Sequence, residues 1–409
     1  MTFVARAASA RLRELLRAFP AVLVYGPRQC GKSTLVRKLL PGFRFLDLER
    51  PRDVGLLSGD LEGFFDANPE RVVIDEAQRV PAVFPALRHI IDRSSRKGRF
   101  VLLGSASPSL LAHASETLAG RVGLLELTPF SNDELHSVTR HADRWFWGGY
   151  PPVHTARTVL ARSLWLDSYV STYLERDLPS LGLRLPAPRM RQLWTMLTHV
   201  HGNVLNVSDL ARSLAVSSHT VSSHLDVLDA TFMTRRLQPF FANVQKRLTK
   251  SPKVYVRDTG LLHFLAGLRR DTELTGWSRR GASFEGMVVE EIAALAARRL
   301  VRPELFYWRT QAGAEVDLLV VDGARVLPIE IKLGSAVTHY DVAGLRQCMI
   351  DLSLDRGWVV YGGKERRAMG HGIELVPWAD VARGAVDLGF LSRHSSPPFR
   401  SAARRAGVS

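Results

Sequence analysis

Short apolar runs alternate with helical patterns over the first third of the chain. Runs at residues 21–25, 43–49, 71–76, 100–105 and 122–127 each have the length of a buried strand. The stretch after the first run, residues 35–40, has apolar residues at helical spacing and stops at Pro41 and Gly42. Strands that alternate with helices predict an α/β fold built on a parallel sheet.

The middle of the chain changes character. Turn-forming residues at 146–152 mark a break, and helical patterns follow at 164–178 and 190–201. Two further helices, one capped by Ser208 and one running to Asp229, have helix-turn-helix spacing. Apolar runs at 232–236 and 254–258 could supply wing strands, so residues 146–275 are predicted to be helical and winged-helix-like.

The last third returns to a mixture of strands and helices. A long helix is predicted over residues 286–300, and strands over 305–309, 314–321, 326–332 and 358–361. This gives four predicted parts: a first α/β domain at 1–145, the helical part at 146–275, a second α/β domain at 276–390 and a basic disordered tail at 391–409.

Composition narrows the class of protein. The 409 residues are 46% hydrophobic and 23% charged, which is typical of a globular protein with real cores. No uncharged run approaches the roughly 18 residues that would span a bilayer, and the cysteines, Cys30 and Cys348, are too few for a disulfide framework. A cytoplasmic location is the expectation. The net charge of +15 favours an anionic partner such as DNA, although an arginine-rich composition would produce it too.

The candidate chemistry starts with a glycine-rich loop between the first strand and its helix. It has the G-x-x-x-x-G-K-[ST] form that cradles phosphates, and its residues are Gly26, Pro27, Arg28, Gln29, Cys30, Gly31, Lys32, Ser33 and Thr34. Backbone N–H groups and the helix N-terminus attract an anion. Lys32 could reach the β- and γ-phosphates of ATP, and Ser33 could bind Mg²⁺.

Two carboxylates follow the third apolar run. Asp75 would hold Mg²⁺, and Glu76 would orient and polarise the attacking water. The alternative is an ordinary strand-to-helix cap, but the position of these acids after a phosphate-binding loop favours a catalytic role.

Two more residues complete the candidate ATP site. Ser105, at the end of the fourth run, could sense the γ-phosphate or could belong to a Gly-Ser turn. Arg121 is a candidate arginine finger, acting in its own chain or from a neighbouring subunit of a homo-oligomer. Most arginines are simply solvated surface groups.

These motifs, in this order, resemble prokaryotic ATPases of the AAA+ superfamily that carry a C-terminal domain of unknown function. The resemblance rests on Tyr25-Gly-Pro-Arg-Gln-Cys-Gly-Lys-Ser, Ile74-Asp-Glu-Ala-Gln, Leu103-Gly-Ser, Leu118-Ala-Gly-Arg and Leu127-Thr-Pro-Phe. It implies that Lys32, Asp75, Glu76, Ser105 and Arg121 are the loop lysine, the Mg²⁺ acid, the catalytic glutamate, the sensor and the arginine of the Gly-Arg pair. It also implies a strand between the loop strand and the Asp-Glu strand.

The residues of the helix-turn-helix segment give one argument against DNA binding and one for it. The second helix carries Ser, Thr, His and Asp but neither Arg nor Lys, whereas phosphate contacts need cations. Basic residues occur instead in the wing segment: Arg235, Arg236, Lys246, Arg247, Lys250 and Lys253.

The C-terminal strands carry a second group of candidate residues. Glu330 and Lys332 share a strand face, and Asp317 lies on the preceding strand. With Glu285 on the first helix, the arrangement resembles the restriction-endonuclease-like core. That resemblance implies metal binding by Asp317 and Glu330 and stabilisation of the nucleophile or phosphate by Lys332. An exposed Glu-Lys ion pair on an amphipathic strand is the alternative.

The sequence therefore predicts an ATP- and Mg²⁺-dependent P-loop ATPase that is coupled to DNA through a nuclease-like domain. A nucleotide-dependent switch with a silent C-terminal domain remains an alternative, as does a DNA-binding regulator with a degenerate ATPase. The pairing of Glu76 with Asp75 favours hydrolysis over a switch that only binds nucleotide.

Overall fold

The computed structural model of the protein describes residues 3–57, 59–94, 96–105, 108–136, 141–181, 186–240 and 251–388. These residues form two compact units. The first comprises Met1–Arg236 and Ser251–Ala294, and the second comprises Leu237–Lys250 and Leu295–Ser409.

The first unit contains most of the helices. They are α1 (Ala8–Ala18), α2 (Lys32–Leu39), α3 (Pro51–Leu57), α4 (Leu61–Ala67), α5 (Val83–Ser94), α6 (Pro108–Thr117), α7 (Asn132–Leu135), α8 (His141–Trp147), α9 (Pro151–Thr155), α10 (Val159–Thr172), α11 (Leu178–Ser180), α12 (Ala187–Val200), α13 (Val207–Leu214), α14 (Ser218–Ala230) and α15 (Thr259–Leu265). Helix α16 (Arg280–Arg299) crosses the division at Ala294.

The strands of the first unit begin with β1 (Ala21–Gly26), β2 (Arg44–Asp47), β3 (Val72–Asp75), β4 (Phe100–Ser105) and β5 (Val122–Glu126). These five form a parallel sheet in the order β2-β3-β4-β1-β5. The predicted parallel α/β fold is thus confirmed. Strand β4 lies between β1 and β3, so the strand that the AAA+ resemblance implies between the loop strand and the Asp-Glu strand is present.

Both faces of this sheet are buried, which explains why its strands are almost continuously apolar. Successive residues of β1 point to opposite faces of the sheet and pack into two different apolar clusters. Ala21 and Leu23 pack on one face, and Val22 and Val24 pack on the other with Cys30. The sheet is therefore a rigid support for the loops at its carboxyl edge.

The helical part of the first unit has its own apolar cluster. Helix α10 continues into a π-helical turn, Tyr173–Asp177, before α11. Asn206 caps α13, so the prediction of Ser208 as its cap was wrong, and Ser217 caps α14; both use their side-chain oxygens. Strand β6 (Asn203–Val204) pairs with β8 (Lys253–Val256), and β7 (Thr234–Pro239) crosses the unit division. The two predicted helices of the helix-turn-helix are present.

Where the structure describes it, the second unit contains a mixed sheet with the helices α17 (Ala343–Asp351) and α18 (Trp378–Ala382). Its strands are β9 (Glu304–Arg309), β10 (Glu315–Asp322), β11 (Arg325–Lys332), β12 (Gly357–Tyr361), β13 (Arg367–Gly370) and β14 (Ile373–Pro377). Strand β10 is antiparallel to β9 and β11, whereas β11, β12 and β14 are parallel.

The boundaries of some predicted elements were wrong. Helix α16 begins at Arg280, six residues before the predicted start, because the polar residues of its first turn hid the helical period. Strands β13 and β14 were not predicted, since β13 is short and mostly exposed. The predicted tail at 391–409 lies outside the described residues.

Candidate functional site

The phosphate-binding loop leaves strand β1 at Gly26, where no other residue fits. Its φ is +154°, and an added Cβ would lie 2.1 Å from the carbonyl oxygen of Leu127. Gly31, with φ of +100°, ends the loop and begins helix α2. Both glycines have backbone angles that side chains disfavour, which is what a chain curling around an anion requires.

Lys32 lies at the centre of this loop. Its Nζ donates to the carbonyl oxygens of Gly26 at 3.1 Å and Pro27 at 2.9 Å, and the residue is only 6% exposed. Neutral carbonyls leave the charge of the ammonium uncompensated. The lysine is thus held inside the loop with its positive charge available to an anion.

Arg6, which precedes helix α1, stabilises the loop through a hydrogen bond to its backbone. Its Nη1 donates to the carbonyl oxygen of Cys30 at 2.8 Å, and its Nε bonds Glu134 at 3.0 Å. Arg6 and Glu134 are both buried. Nothing in the sequence around Arg6 indicated this role, because its partners are distant along the chain.

Asp75 at the end of β3 faces the first turn of α2. The Ser33 hydroxyl donates to Asp75 Oδ2 at 2.7 Å. Burial raises the pKa of Asp75, the Ser33 bond opposes that rise, and neighbouring Glu76 adds to it. A hydroxyl and a carboxylate that already touch are oxygen ligands of the kind Mg²⁺ prefers, so these residues fit that ion.

Glu76 adopts the left-handed conformation, with φ of +55°. This strained backbone aims its carboxylate along the sheet edge, where the Ser105 hydroxyl donates to Oε1 at 3.1 Å and the Gln78 amide donates to Oε2. The predicted neighbours Asp75, Glu76 and Ser105 therefore lie together. Gln78 was missed, although it follows Glu76 by two positions in the Asp-Glu-Ala-Gln run.

A cavity of about 350 Å³ opens beside this edge of the sheet. One wall comes from the loop, Glu76 and Ser105, and another from the π-helical turn and its surroundings. The lining residues from that second wall are Tyr169, Tyr173, Arg176, Asp177, Leu181, Thr231 and Met233. In the sequence, the apolar residues from Tyr169 onward recur at helical spacing, which is typical of core packing. A π-helical turn is a frequent marker of functional positions, but it cannot be read from sequence.

Arg121 lies at the opposite end of the sheet. It precedes Val122, which pairs with Ala21 at the start of β1, whereas the loop begins at Gly26. Five residues of strand separate those ends, or about 17 Å at the usual rise. Its guanidinium bonds Asp92 at 2.5 Å and 3.0 Å. The parallel strands thus carry Arg121 and the loop of the same chain to opposite edges of the sheet, and its other predicted role, as an arginine finger from a neighbouring subunit, stays a prediction.

The acidic residues of the second unit lie on adjacent strands. Leu318 pairs with Ile329, and the next position in that antiparallel register sets Asp317 opposite Glu330. The residues are 8% and 7% exposed. The Ile331 N–H donates to Asp317 Oδ2 at 3.0 Å, and Lys332 Nζ lies 2.8 Å from Glu330 Oε1. The pairing of β10 with β9 shifts register between Val316 and Leu319, so Asp317 lies at a bulge.

Glu285, the fourth residue predicted for this acidic site, lies in the first unit. Its Oε1 accepts from the Tyr255 hydroxyl at 2.5 Å and from Lys253 at 3.3 Å. Its carboxylate therefore serves a contact between α16 and β8. Within the described residues, no three side chains of His, Cys, Asp or Glu are grouped so that they could hold a metal.

The basic wing residues that the structure describes are engaged in ion pairs. Arg235 bonds Glu290, Arg236 bonds Asp226 and Asp229, and Lys253 bonds Glu285. The other three, Lys246, Arg247 and Lys250, lie outside the described residues. Among the described helices, none is both long and apolar enough to cross a bilayer.

Family models divide the chain into three consecutive matches. Residues 18–136 match an AAA domain, residues 139–272 match a domain of unknown function (DUF8612), and residues 280–381 match another (DUF4143). The first match coincides with the parallel sheet and its loop. The chain thus contains a P-loop AAA-type ATPase domain.

Two relatives extend over nearly the whole chain. Uncharacterised proteins of Mycobacterium bovis and Mycobacterium tuberculosis are each 44% identical over 387 residues, which cover 93% of this chain and 86% of the relative. The chain belongs to the family of these mycobacterial proteins. Family membership leaves the activity open, because neither relative has an assigned function.

Two solved structures are distantly similar. The Walker-type ATPase of Pyrococcus abyssi has a TM-score of 0.45 at 16% identity and covers 64% of this chain and 96% of its own. A signal transduction ATPase with a tetratricopeptide repeat sensor from Pyrococcus horikoshii has a TM-score of 0.29 at 13% identity, covering 72% and 47%. Similarity at this level carries no information about substrate or partner.

Proposed function

We propose that the first unit binds ATP in the loop of residues 26–34 and hydrolyses it. The arrangement of Glu76 carries this proposal. Its carboxylate is oriented by Ser105 and Gln78, and it directly follows Asp75, which bonds Ser33 of the loop. A domain that only bound nucleotide would have no need for a strained carboxylate held at this edge.

Each residue then has a distinct role. The loop N–H groups and Lys32 bind the phosphates, and Ser33 with Asp75 would hold Mg²⁺, which neutralises charge on the β- and γ-phosphates. Glu76 orients a water molecule in line with the γ-phosphate and accepts its proton as the new P–O bond forms. The bond to the β-phosphate oxygen breaks, releasing ADP and phosphate.

Arg176 supplies the cation that Arg121 cannot supply within one chain. It lines the cavity together with Glu76 and Ser105. The other arginines that line the cavity, Arg28 and Arg79, are paired with Asp177 and Glu49. A guanidinium at this position stabilises charge that develops on the transferred phosphoryl group.

Steady-state release of phosphate from Mg·ATP tests the assignment of Glu76. We expect Glu76→Gln to lower kcat by roughly 10²- to 10³-fold, as loss of a positioned general base does, while ATP still binds. Wild-type protein that releases no phosphate, or a variant with unchanged kcat, would contradict the proposal.

A second function has one specific observation in its favour. Two buried carboxylates, Asp317 and Glu330, face each other at a bulge, with Lys332 paired to one of them. We propose this group as a candidate site for metal-dependent cleavage of a phosphodiester, with DNA as the substrate to test. The residues present are oxygen donors that fit a hard divalent cation.

Nicking of plasmid DNA with Mg²⁺ or Mn²⁺ tests this candidate site. Asp317→Asn should abolish nicking, whereas Asp322→Asn at the end of the same strand should not. Absence of nicking by the wild-type protein with ATP present would favour the alternative, a nucleotide-dependent switch whose second unit is catalytically silent.

A further inference from the structure

An ion pair joins the phosphate-binding loop to the π-helical turn. Arg28, the third residue of the loop, bonds the carboxylate of Asp177 at the end of that turn. The side chains are 35% and 15% exposed. The pair lies in the cavity that also exposes Glu76 and Ser105. A contact here links the loop directly to the helical part of the unit.

The backbone that carries Asp177 is firmly anchored. The hydroxyls of Tyr173 and Thr231 lie 2.5 Å apart, and the ring of Tyr173 packs on that of Trp194 with 5.2 Å between the ring centroids. One turn earlier, the hydroxyl of Tyr169 lies 2.9 Å from that of Tyr150. All of these aromatic residues are buried. Asp177 is therefore presented to the loop by a rigid support and not by a mobile surface side chain.

The position of Arg28 indicates which phosphate it would meet. Lys32, which spans the β- and γ-phosphates in such loops, bonds the carbonyls of Gly26 and Pro27, the residues immediately before Arg28. Arg28 thus directly follows the two residues whose carbonyls hold the ammonium that would meet the β- and γ-phosphates. Its guanidinium is directed to a carboxylate of the protein instead.

The charges that line the cavity are three acids, Glu49, Glu76 and Asp177, and three arginines, Arg28, Arg79 and Arg176. While Arg28 is paired with Asp177 and Arg79 with Glu49, neither guanidinium is fully available to an incoming phosphate. Burial raises the pKa of Asp177, although the Arg28 guanidinium opposes that rise. A γ-phosphate near Arg28 would offer the guanidinium a stronger anionic partner than one carboxylate.

We propose that Asp177 competes with the γ-phosphate for Arg28, so that the Arg28–Asp177 pair is a gate that a nucleoside triphosphate opens and a diphosphate leaves closed. The inference rests on the proposed binding of ATP by the loop. It makes Asp177 a positioning residue that acts through Arg28. Opening the pair frees the π-helical turn from the loop, which couples the bound nucleotide to the helical part of the unit.

Equilibrium binding of fluorescent ATP and ADP analogues to the full chain tests the gate. We expect Asp177→Asn to tighten binding of a non-hydrolysable ATP analogue by about fivefold to tenfold, a normal range for coupling between sites, with ADP affinity changed less than twofold. Arg28→Ala should instead weaken binding of the ATP analogue by about tenfold or more. If the pair were only a structural contact, the two substitutions would not change the affinity for the ATP analogue in opposite directions.

The matched control is Asp167→Asn. Asp167 lies on α10 and makes an exposed contact with Arg191 at 3.9 Å, so this variant removes the same charge away from the cavity. ATP-analogue binding that is unchanged or weaker in Asp177→Asn, with an unchanged unfolding temperature, would overturn the gate. Wild-type protein that binds neither analogue would overturn the proposed function itself, and the two failures are thereby distinguished.

Discussion

Two strand edges in this protein carry acids near a lysine, and they use the lysine differently. In the first unit, Lys32 bonds neutral carbonyls and Asp75 bonds a hydroxyl, so the positive and negative groups remain separate. In the second unit, Lys332 is paired with Glu330 on its own strand. Separated charges leave a field that an anion and a cation can both use, whereas a local ion pair cancels most of its own field.

The pKa of Lys332 reflects its pairing with a carboxylate. Burial acts to lower the pKa of Lys332, but Glu330 and Asp317 outweigh it and raise that pKa. Lys332 thus remains charged while it is bound to a carboxylate. A phosphate that approached it would have to compete with Glu330, which is why the first site has the stronger claim to phosphate chemistry.

The largest expected effect comes from removing the lysine of the first site. Lys32→Ala should reduce ATP hydrolysis by at least 10³-fold, because Lys32 is the ammonium in direct contact with the phosphate-binding loop. Lys38→Ala, on the exposed face of the same helix, removes an equal charge and serves as the control. Equal loss in both variants would show that net charge, and not the loop site, sets the rate.

A second prediction compares the ion pairs that stabilise the two units. The side chain of Arg257 is 10% exposed, and it bonds Glu126 at 2.7 Å and Glu290 at 2.9 Å. Although burial acts to raise the pKa of Glu290, Arg235 and Arg257 lower it to about 2. Arg257→Met would leave Glu126 without this ion pair and Glu290 with Arg235 as its arginine partner, and we expect a loss of about 1.5–3 kcal/mol in the free energy of unfolding.

The corresponding variant in the second unit is Arg366→Met, which removes the exposed pair with Glu374. Such pairs contribute about 1 kcal/mol or less. Denaturant unfolding of both variants measures the two losses in the free energy of unfolding. Losses of similar size in Arg257→Met and Arg366→Met would contradict the prediction.

A third prediction concerns pH. Burial lowers the pKa of His154 to about 4, of His201 to about 3 and of His263 to about 4. In the unfolded chain a histidine takes up a proton near pH 6.5, whereas these buried histidines stay neutral in the folded protein until the pH is close to 4. The stability that they contribute is therefore fully present above pH 6.5 and falls as the pH drops toward 4. Each histidine contributes a slope of about 1.4 kcal/mol per pH unit in that window.

The histidines that the structure describes in the second unit, His339 and His371, are exposed, unlike the three histidines of the first unit. The unfolding temperature of the first unit should therefore fall between pH 7.5 and pH 5.5, and that of the second should change less. An unfolding temperature for the first unit that is constant over this range would contradict the prediction.

The smallest effect is expected from Arg121→Ala. Its side chain is paired with Asp92 at the far edge of the sheet, so phosphate release by a single chain should change less than twofold. A drop of about 10³-fold or more, the effect of losing an arginine finger, would instead indicate that Arg121 acts on a neighbouring subunit. Recovery of activity on mixing with Glu76→Gln protein would establish that arrangement.

Local patterns determined much of this structure. The parallel sheet could be expected from the alternation of apolar runs with helical patterns, and the strand between β1 and β3 from the resemblance that residues 26–34, Asp75 and Glu76 help to carry. Strand periodicity likewise set Glu330 and Lys332 on one face of β11. In each case the informative residues are close in sequence, and their backbone geometry follows from local preferences.

Only the tertiary structure decided which distant residues share a site. Parallel pairing carries Arg121 to the wrong edge of the sheet for the loop, and the π-helical turn brings Asp177 to Arg28, a residue 149 positions away. Glu285 belongs to the first unit and contacts Tyr255. Such contacts depend on how whole elements pack, and that packing is set by many weak interactions that no short stretch of sequence contains.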